Sequence, residues 1–190
     1  KDFGVYAMEE HFSKDLIESQ KRRDGVILSF DEYRYWKNIG PTQNNFNLPP
    51  SYQSAQIDIR ENKRINKSNL LLKQRVTALN LLRQFQNEKL RGDEVFSAEK
   101  LGKFLAICRL WNAEHAFAFI NINFYFNPIT SLLEPIGYDG MPGNSISTPH
   151  SYFTGGPENW VKNALQSPKI AHSYIKHLYA FTNKSYIQKL

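Results

Sequence analysis

The sequence predicts an α+β fold in which a small strand-bearing part leads into a larger, mainly helical part. Three observations carry that expectation. Short apolar and aromatic runs bounded by turn residues come first. Apolar residues then recur at helical spacing from about Lys67 to Arg91. Finally, residues 121–140, "NINFYFNPITSLLEPIGYDG", run up to a tight turn and return, as a β-hairpin does. A chain of 190 residues is one large domain or a piece of a longer protein, with apolar residues enough for a core. Because it begins at Lys1 and not at Met, we expect a piece of a longer protein with flanking domains. The expected division places strands and a helix in residues 1–50, and a helical region with a hairpin at 121–139 in residues 51–190.

Each element has a local reason. "KDFGVYAMEE" alternates apolar and mixed positions after a glycine and reads as a strand. "SKDLIESQKRR" reads as a short helix, with Ser13 as N-cap, Asp15 in the first turn and basic residues at the end. "DGVILSFDEY" is expected as a strand entered through the turn dipeptide Asp24-Gly25. Residues 38–51 are rich in Asn, Pro and Gly and form a connection. The long helix places Leu72, Val76, Leu79, Leu82 and Phe85 on one stripe and closes at Gly92-Asp93.

A second helix starts at Ser97 and presents Leu101, Phe104, Leu105, Cys108 and Trp111 on one face. In the hairpin, "NFYF" leaves, "NPITS" turns and "LLEPIGYD" returns, with Pro135 implying an edge position or a break there. A loop over 140–156 precedes two last helices, one with Pro157 in its first turn and one from about Pro168. The latter buries Ile170, Tyr174, His177 or Leu178, and Phe181.

Composition narrows the function. The formal net charge is +6, yet the basic clusters "KRR" and "ENKRINK" are short and mixed with acids, as on a solvated face. No specific nucleic-acid footprint is read from them. No apolar run is long enough for a membrane span, and no signal peptide is visible in the segment. The lone Cys108 has no disulfide partner and reads as core. Walker A, GxGxxG and GxSxG patterns are absent, and His and Cys lack zinc spacing. Tyr33, Tyr35 and Trp36 are the one feature that suggests a carbohydrate or wall surface.

After residue 100 the carboxylate side chains are Glu114, Glu134, Asp139 and Glu158. Asn121 and Asp139 stand at opposite ends of the hairpin, and antiparallel pairing brings such ends together. An amide oxygen and a carboxylate suit Mg²⁺, which completes its shell with water and phosphate oxygens. Protein kinases hold metal with an Asn and the Asp of a DFG triplet, and "YDG" here has that form. The alternative is a plain Asp-Gly turn. Glu114 and His115 lie a few residues before Asn121, where a catalytic base would stand, or they are a solvated residue and a cap at a helix end. Alternation in the return strand points Glu134 away from Asp139.

Three segments together resemble the CotH-type atypical protein kinases of the bacterial envelope and secreted branch: "GVYAMEEHFSKDLIE", "FSAEKLGKFLAICRLWNAEHAF" and the hairpin itself. The resemblance implies a kinase-like fold, with a partial small lobe and a larger helical lobe. It implies transfer of phosphate from ATP, with Mg²⁺ or Mn²⁺, to a hydroxyl of a protein substrate. Asp139 would hold the metal with Asn121 as its partner ligand, Glu9 or Glu10 would lie near the nucleotide, and Glu114 or His115 would serve the acceptor hydroxyl. It also implies a secreted or cell-envelope location. Two departures stand out. Glu114-His115 and Ile120 occupy the region where the family carries its catalytic Asp, and Ser29 stands where a relative carries a phosphate-binding Lys. They keep open a catalytically inactive interaction module of a larger envelope protein.

Overall fold

The computed structural model describes residues 11–39, 52–143 and 159–188. The expected strand over the first ten residues, with Glu9 and Glu10, lies outside them. So do Pro157 and most of the loops over 38–51 and 140–156.

Four antiparallel strands form one sheet, in the order β2-β1-β3-β4. They are β1 (Ile27–Phe30), β2 (Ile57–Ile59), β3 (Asn123–Asn127) and β4 (Leu132–Ile136). β1 precedes residue 50 and the other three follow it, yet the sheet is continuous. β2 was not legible as an element: three residues, Ile-Asp-Ile, alternate buried and exposed but are too few to stand out. In the β3–β4 turn, Asn127 Oδ1 accepts from the Ile129 N–H at 2.9 Å and Asn127 O from the Ser131 N–H at 2.8 Å. That side-chain mimic of a backbone turn is why Asn-Pro works there. β4 runs unbroken through Pro135 and lies at the edge of the sheet, the first of the two outcomes that proline allowed.

The helices are α1 (Lys14–Ser19), α2 (Glu32–Ile39), α3 (Asn62–Ile65), α4 (Asn69–Gln86), α5 (Gly92–Val95), α6 (Ala98–Leu110), α7 (Asn159–Leu165), α8 (Pro168–Thr182) and α9 (Lys184–Ile187). Four of them, α2, α3, α5 and α9, lie where no helix was expected. The strand read over 24–33 stops at Phe30, and α2 begins two residues later. Its aromatic residues favour strands, but Trp36 Nε1 donates to Glu32 Oε1 one helical turn back, at 2.8 Å. Gly92-Asp93 opens the short α5 and does not close α4, which ends at Gln86.

The α4 stripe is rotated, so Val76 is 68% exposed while Leu71, Ala78, Leu82 and Phe85 are buried. Gln74 and Gln86 share the buried side, and Gln86 Nε2 donates to the carbonyls of Tyr52 and Ala55. A glutamine that finds partners inside a core, as Gln86 does, misleads a count of apolar positions. On α6, Trp111 is 63% exposed because the chain leaves the helix there, with Asn112 in the left-handed region at φ 49°.

The core lies between one face of the sheet and the helices. Leu28, Phe30, Ile57, Ile59, Phe124, Phe126 and Leu133 meet Leu82 and Phe85 of α4, Leu101 and Leu105 of α6, and Trp160 of α7. Phe124 stacks edge-on against Trp160, and Trp160 Nε1 donates to Phe117 O at 2.7 Å. α6 packs closely on α8 because residue 102 is glycine: a Cβ there would sit 2.5 Å from Ser173 Oγ and 2.7 Å from the Tyr174 amide nitrogen. Cys108 is buried in this core, as expected. Among the described residues no helix is long and apolar enough to cross a membrane.

Candidate functional site

The site is the corner where α6 ends and the hairpin strands meet. From Asn112 the chain makes a 3-10 turn over Glu114–Phe117, then reaches Asn121 and enters β3. On the return, β4 ends at Ile136 and Asp139 sits two residues beyond Gly137. The ladder pairs Asn123 with Ile136 and goes no further, so Asn121 and Asp139 do not face one another as strand partners. They meet through His115 instead. His115 Nε2 lies 3.3 Å from Asp139 Oδ2, and the Asn121 amide donates to His115 O at 3.0 Å.

The backbone there is bent. Asp139 and Met141 adopt φ values of 44° and 46°, in the left-handed region where a Met is unusual. The loop stays because it is packed: a Cβ on Gly140 would come within 3.2 Å of Ala113 Cβ, and the Gly143 N–H donates to Trp111 O at 3.2 Å. The His115 and Asp139 side chains remain 45% and 47% accessible, while Asn121 is buried.

Glu114 is placed differently. It is buried and its Oε1 accepts from Arg109 Nη1, while Oε2 is buried without a hydrogen-bond partner. Its electrostatic neighbours are on α6 and α8. Burial pushes the Cys108 thiol up to about 12, with the Glu114 charge adding to it. The Tyr174 hydroxyl is likewise raised by burial, eased by Arg109 and reinforced by Glu114. The structure therefore brings together His115, Asn121 and Asp139, and turns Glu114 inward. Glu134 is held by Arg22 and by Asn127 Nδ2, the latter at 2.8 Å. Tyr33 and Trp36 are exposed on α2, but Tyr35 packs edge-on against Phe119.

One neighbour was missed by sequence reasoning. Arg60, just after β2, donates through Nε to Asn123 Oδ1 at 3.3 Å, and Asn123 in turn donates to Asn121 O at 3.2 Å. The only signal was a basic residue inside the mixed-charge run near residue 60, which gave no hint of its partner.

The corner fits a hard cation in one respect. Its donors are a carboxylate and an amide whose nitrogen is already engaged, which leaves the amide oxygen as the remaining acceptor. Among the described residues no three His, Cys, Asp or Glu side chains gather into a metal cage. A cation at Asp139 would take most of its oxygens from water and phosphate, as Mg²⁺ does in nucleotide sites. Comparison of the chain with protein-family models, with curated proteins and with solved structures finds no match.

Proposed function

We propose that the chain is part of a CotH-like kinase domain, which binds ATP with Mg²⁺ or Mn²⁺ at the Asp139 corner and phosphorylates a protein hydroxyl. The observation that carries this reading is the bridge made by His115, whose ring meets the Asp139 carboxylate and whose carbonyl holds the Asn121 amide. Asp139 and Asn121 are the cation's protein ligands in this reading. A Mg²⁺ or Mn²⁺ ion held there by Asp139 and Asn121 would supply positive charge to offset the charge that develops on phosphate oxygens. His115, accessible and oriented by Asp139, is the group suited to accept the proton of the acceptor hydroxyl. Glu114 acts through the fold, anchoring the turn to Arg109.

Calorimetric titration of ATP with Mg²⁺ or Mn²⁺ tests this. Metal-dependent binding is expected in the parent chain and is expected to vanish in Asp139→Ala. Equal binding by both would remove Asp139 from the site.

A second reading is a catalytically inactive interaction module of a larger cell-envelope protein. What favours it is the burial of Glu114 against Arg109, which withdraws from solvent the one carboxylate close before Asn121. A chain that binds no nucleotide with either metal, while Asp139→Ala costs only what a turn substitution costs, would decide for the module.

A further inference from the structure

The sheet face turned away from the main core holds an arginine whose position the fold alone does not explain. Arg60 N–H donates to Ile27 O at 3.0 Å, which extends the β1–β2 ladder by one residue. Cross-strand partners share a face, so Arg60, Ile27, Tyr125 and Glu134 form one row, and Asp58, Ser29, Asn123 and Ile136 the next row on the same face. Arg60 is partly buried, with Cζ 5.4 Å over the Phe12 ring.

Its neighbours Arg22 and Arg64 are neutralised, by Glu134 and by Asp24 with Glu61. Among the described residues Arg60 meets no carboxylate. Asn123 takes one of its five N–H donors, and a partly buried guanidinium left without an anion is costly.

The relay from this guanidinium ends at the candidate site. Arg60 holds Asn123, Asn123 holds the Asn121 carbonyl, Asn121 holds His115, and His115 meets Asp139. A second path runs through rings: Phe12, under the guanidinium, packs edge-on at 5.4 Å against Tyr138, the residue before Asp139. A cation and a carboxylate thus flank the Asn-bearing entry to β3.

We propose that Arg60 is the phosphate-binding arm of this corner, recognising the terminal oxygens of a polyphosphate whose metal ion Asp139 holds. The inference rests on the nucleotide reading of the same corner. A planar fork matches two phosphate oxygens at once. It also supplies, from the residue just after β2, the positive charge that Ser29 cannot supply from β1, one row away on the same face.

The test uses tripolyphosphate titrated into the whole chain at low salt, with and without Mg²⁺, for the parent, Arg60→Gln, Arg60→Lys and Asp139→Ala, each with a thermal melt. The parent is expected to bind, with Mg²⁺ strengthening the binding. Arg60→Gln is expected to weaken it about tenfold or more both with and without metal. Arg60→Lys should fall between, because an ammonium keeps the charge but loses the fork.

Asp139→Ala should lose the Mg²⁺ dependence and keep the metal-free component. Unchanged binding in Arg60→Gln, or in Arg60→Lys if the Gln variant melts early, overturns the role of Arg60 while leaving the Asp139 site standing. A parent that binds neither tripolyphosphate nor ATP overturns both.

Discussion

The two faces of the sheet solve different problems. One is apolar throughout: Leu28, Phe30, Phe124, Phe126 and Leu133 are buried beneath helices. The other has a small apolar cluster of Ile17, Ile27 and Tyr125, set among buried or partly buried Ser29, Asn123, Glu134, Arg22 and Arg60. Burial on the first face needs only shape and water exclusion. On the second every polar group needs a partner, and one chain of partners, from Arg60 through Asn123 and Asn121 to His115, reaches Asp139. The first face is held by packing, the second by hydrogen bonds and ion pairs.

The sharpest way to break this contrast is to empty the apolar face. Phe124→Ala removes a ring packed against Phe96 and Trp160 and is expected to cost about 3–5 kcal/mol. Chemical denaturation would measure it, and a loss below about 1 kcal/mol would mean that the core is elsewhere.

Next in size is the ion pair on the polar face. Arg22→Ala strands the buried Glu134 carboxylate with Asn127 as its remaining partner, for an expected loss of about 3 kcal/mol. The Arg22→Met, Glu134→Met double variant should recover most of that loss, since removing both charges also removes the uncompensated one. Failure to recover would show that the pair holds α1 to the sheet by more than charge.

Outside both faces, Glu99 on α6 meets His177 and Lys176 on α8. The hydrogen bond from His177, and then that from Lys176, hold the Glu99 carboxyl below its ordinary value. A carboxyl lowered by folding adds stability above its unfolded value and loses it as pH falls through the folded one. The stability difference between the parent and Glu99→Gln should therefore be present at pH 7 and fade below about pH 4. Melts at several pH values check this. The effect at pH 7 should be about 1 kcal/mol or less, because the side chains of Glu99 and Lys176 are more than half exposed.

The smallest expected effect is the most diagnostic. Asp139→Ala should cost about 0.5–1 kcal/mol, since the side chain is accessible and the loss is that of holding alanine in the left-handed region. Asp139→Gly should hold or slightly raise stability, because glycine relieves the left-handed backbone. Large destabilisation by the alanine variant would move this residue from the chemical side of the comparison to the structural side.

Local chemistry made much of this protein legible. Spacing marked α1, α4, α6 and α8, although Ser13 and Ser97 stand at N-cap positions without a side-chain cap bond and α4 ends at Gln86, and Asn127-Pro128 marked the hairpin. Asn121 and Asp139 were singled out because amides and carboxylates are the oxygen donors available there. β2 escaped because three residues carry too little periodicity, and α2 because aromatic strand formers outvoted a helix held by Glu32 and Trp36.

Glu114 and His115 are adjacent in sequence and chemically alike as proton acceptors, so no local rule separates them. The fold does so, by pairing one with Arg109 in the interior and leaving the other beside Asp139 in solvent. Arg60 gained a neighbour 63 residues away in sequence, Asn123, in the same manner. Propensity and period act over a few bonds and can be read from the chain. Desolvation and charge pairing depend on distances in space, and those exist only once the sheet has closed.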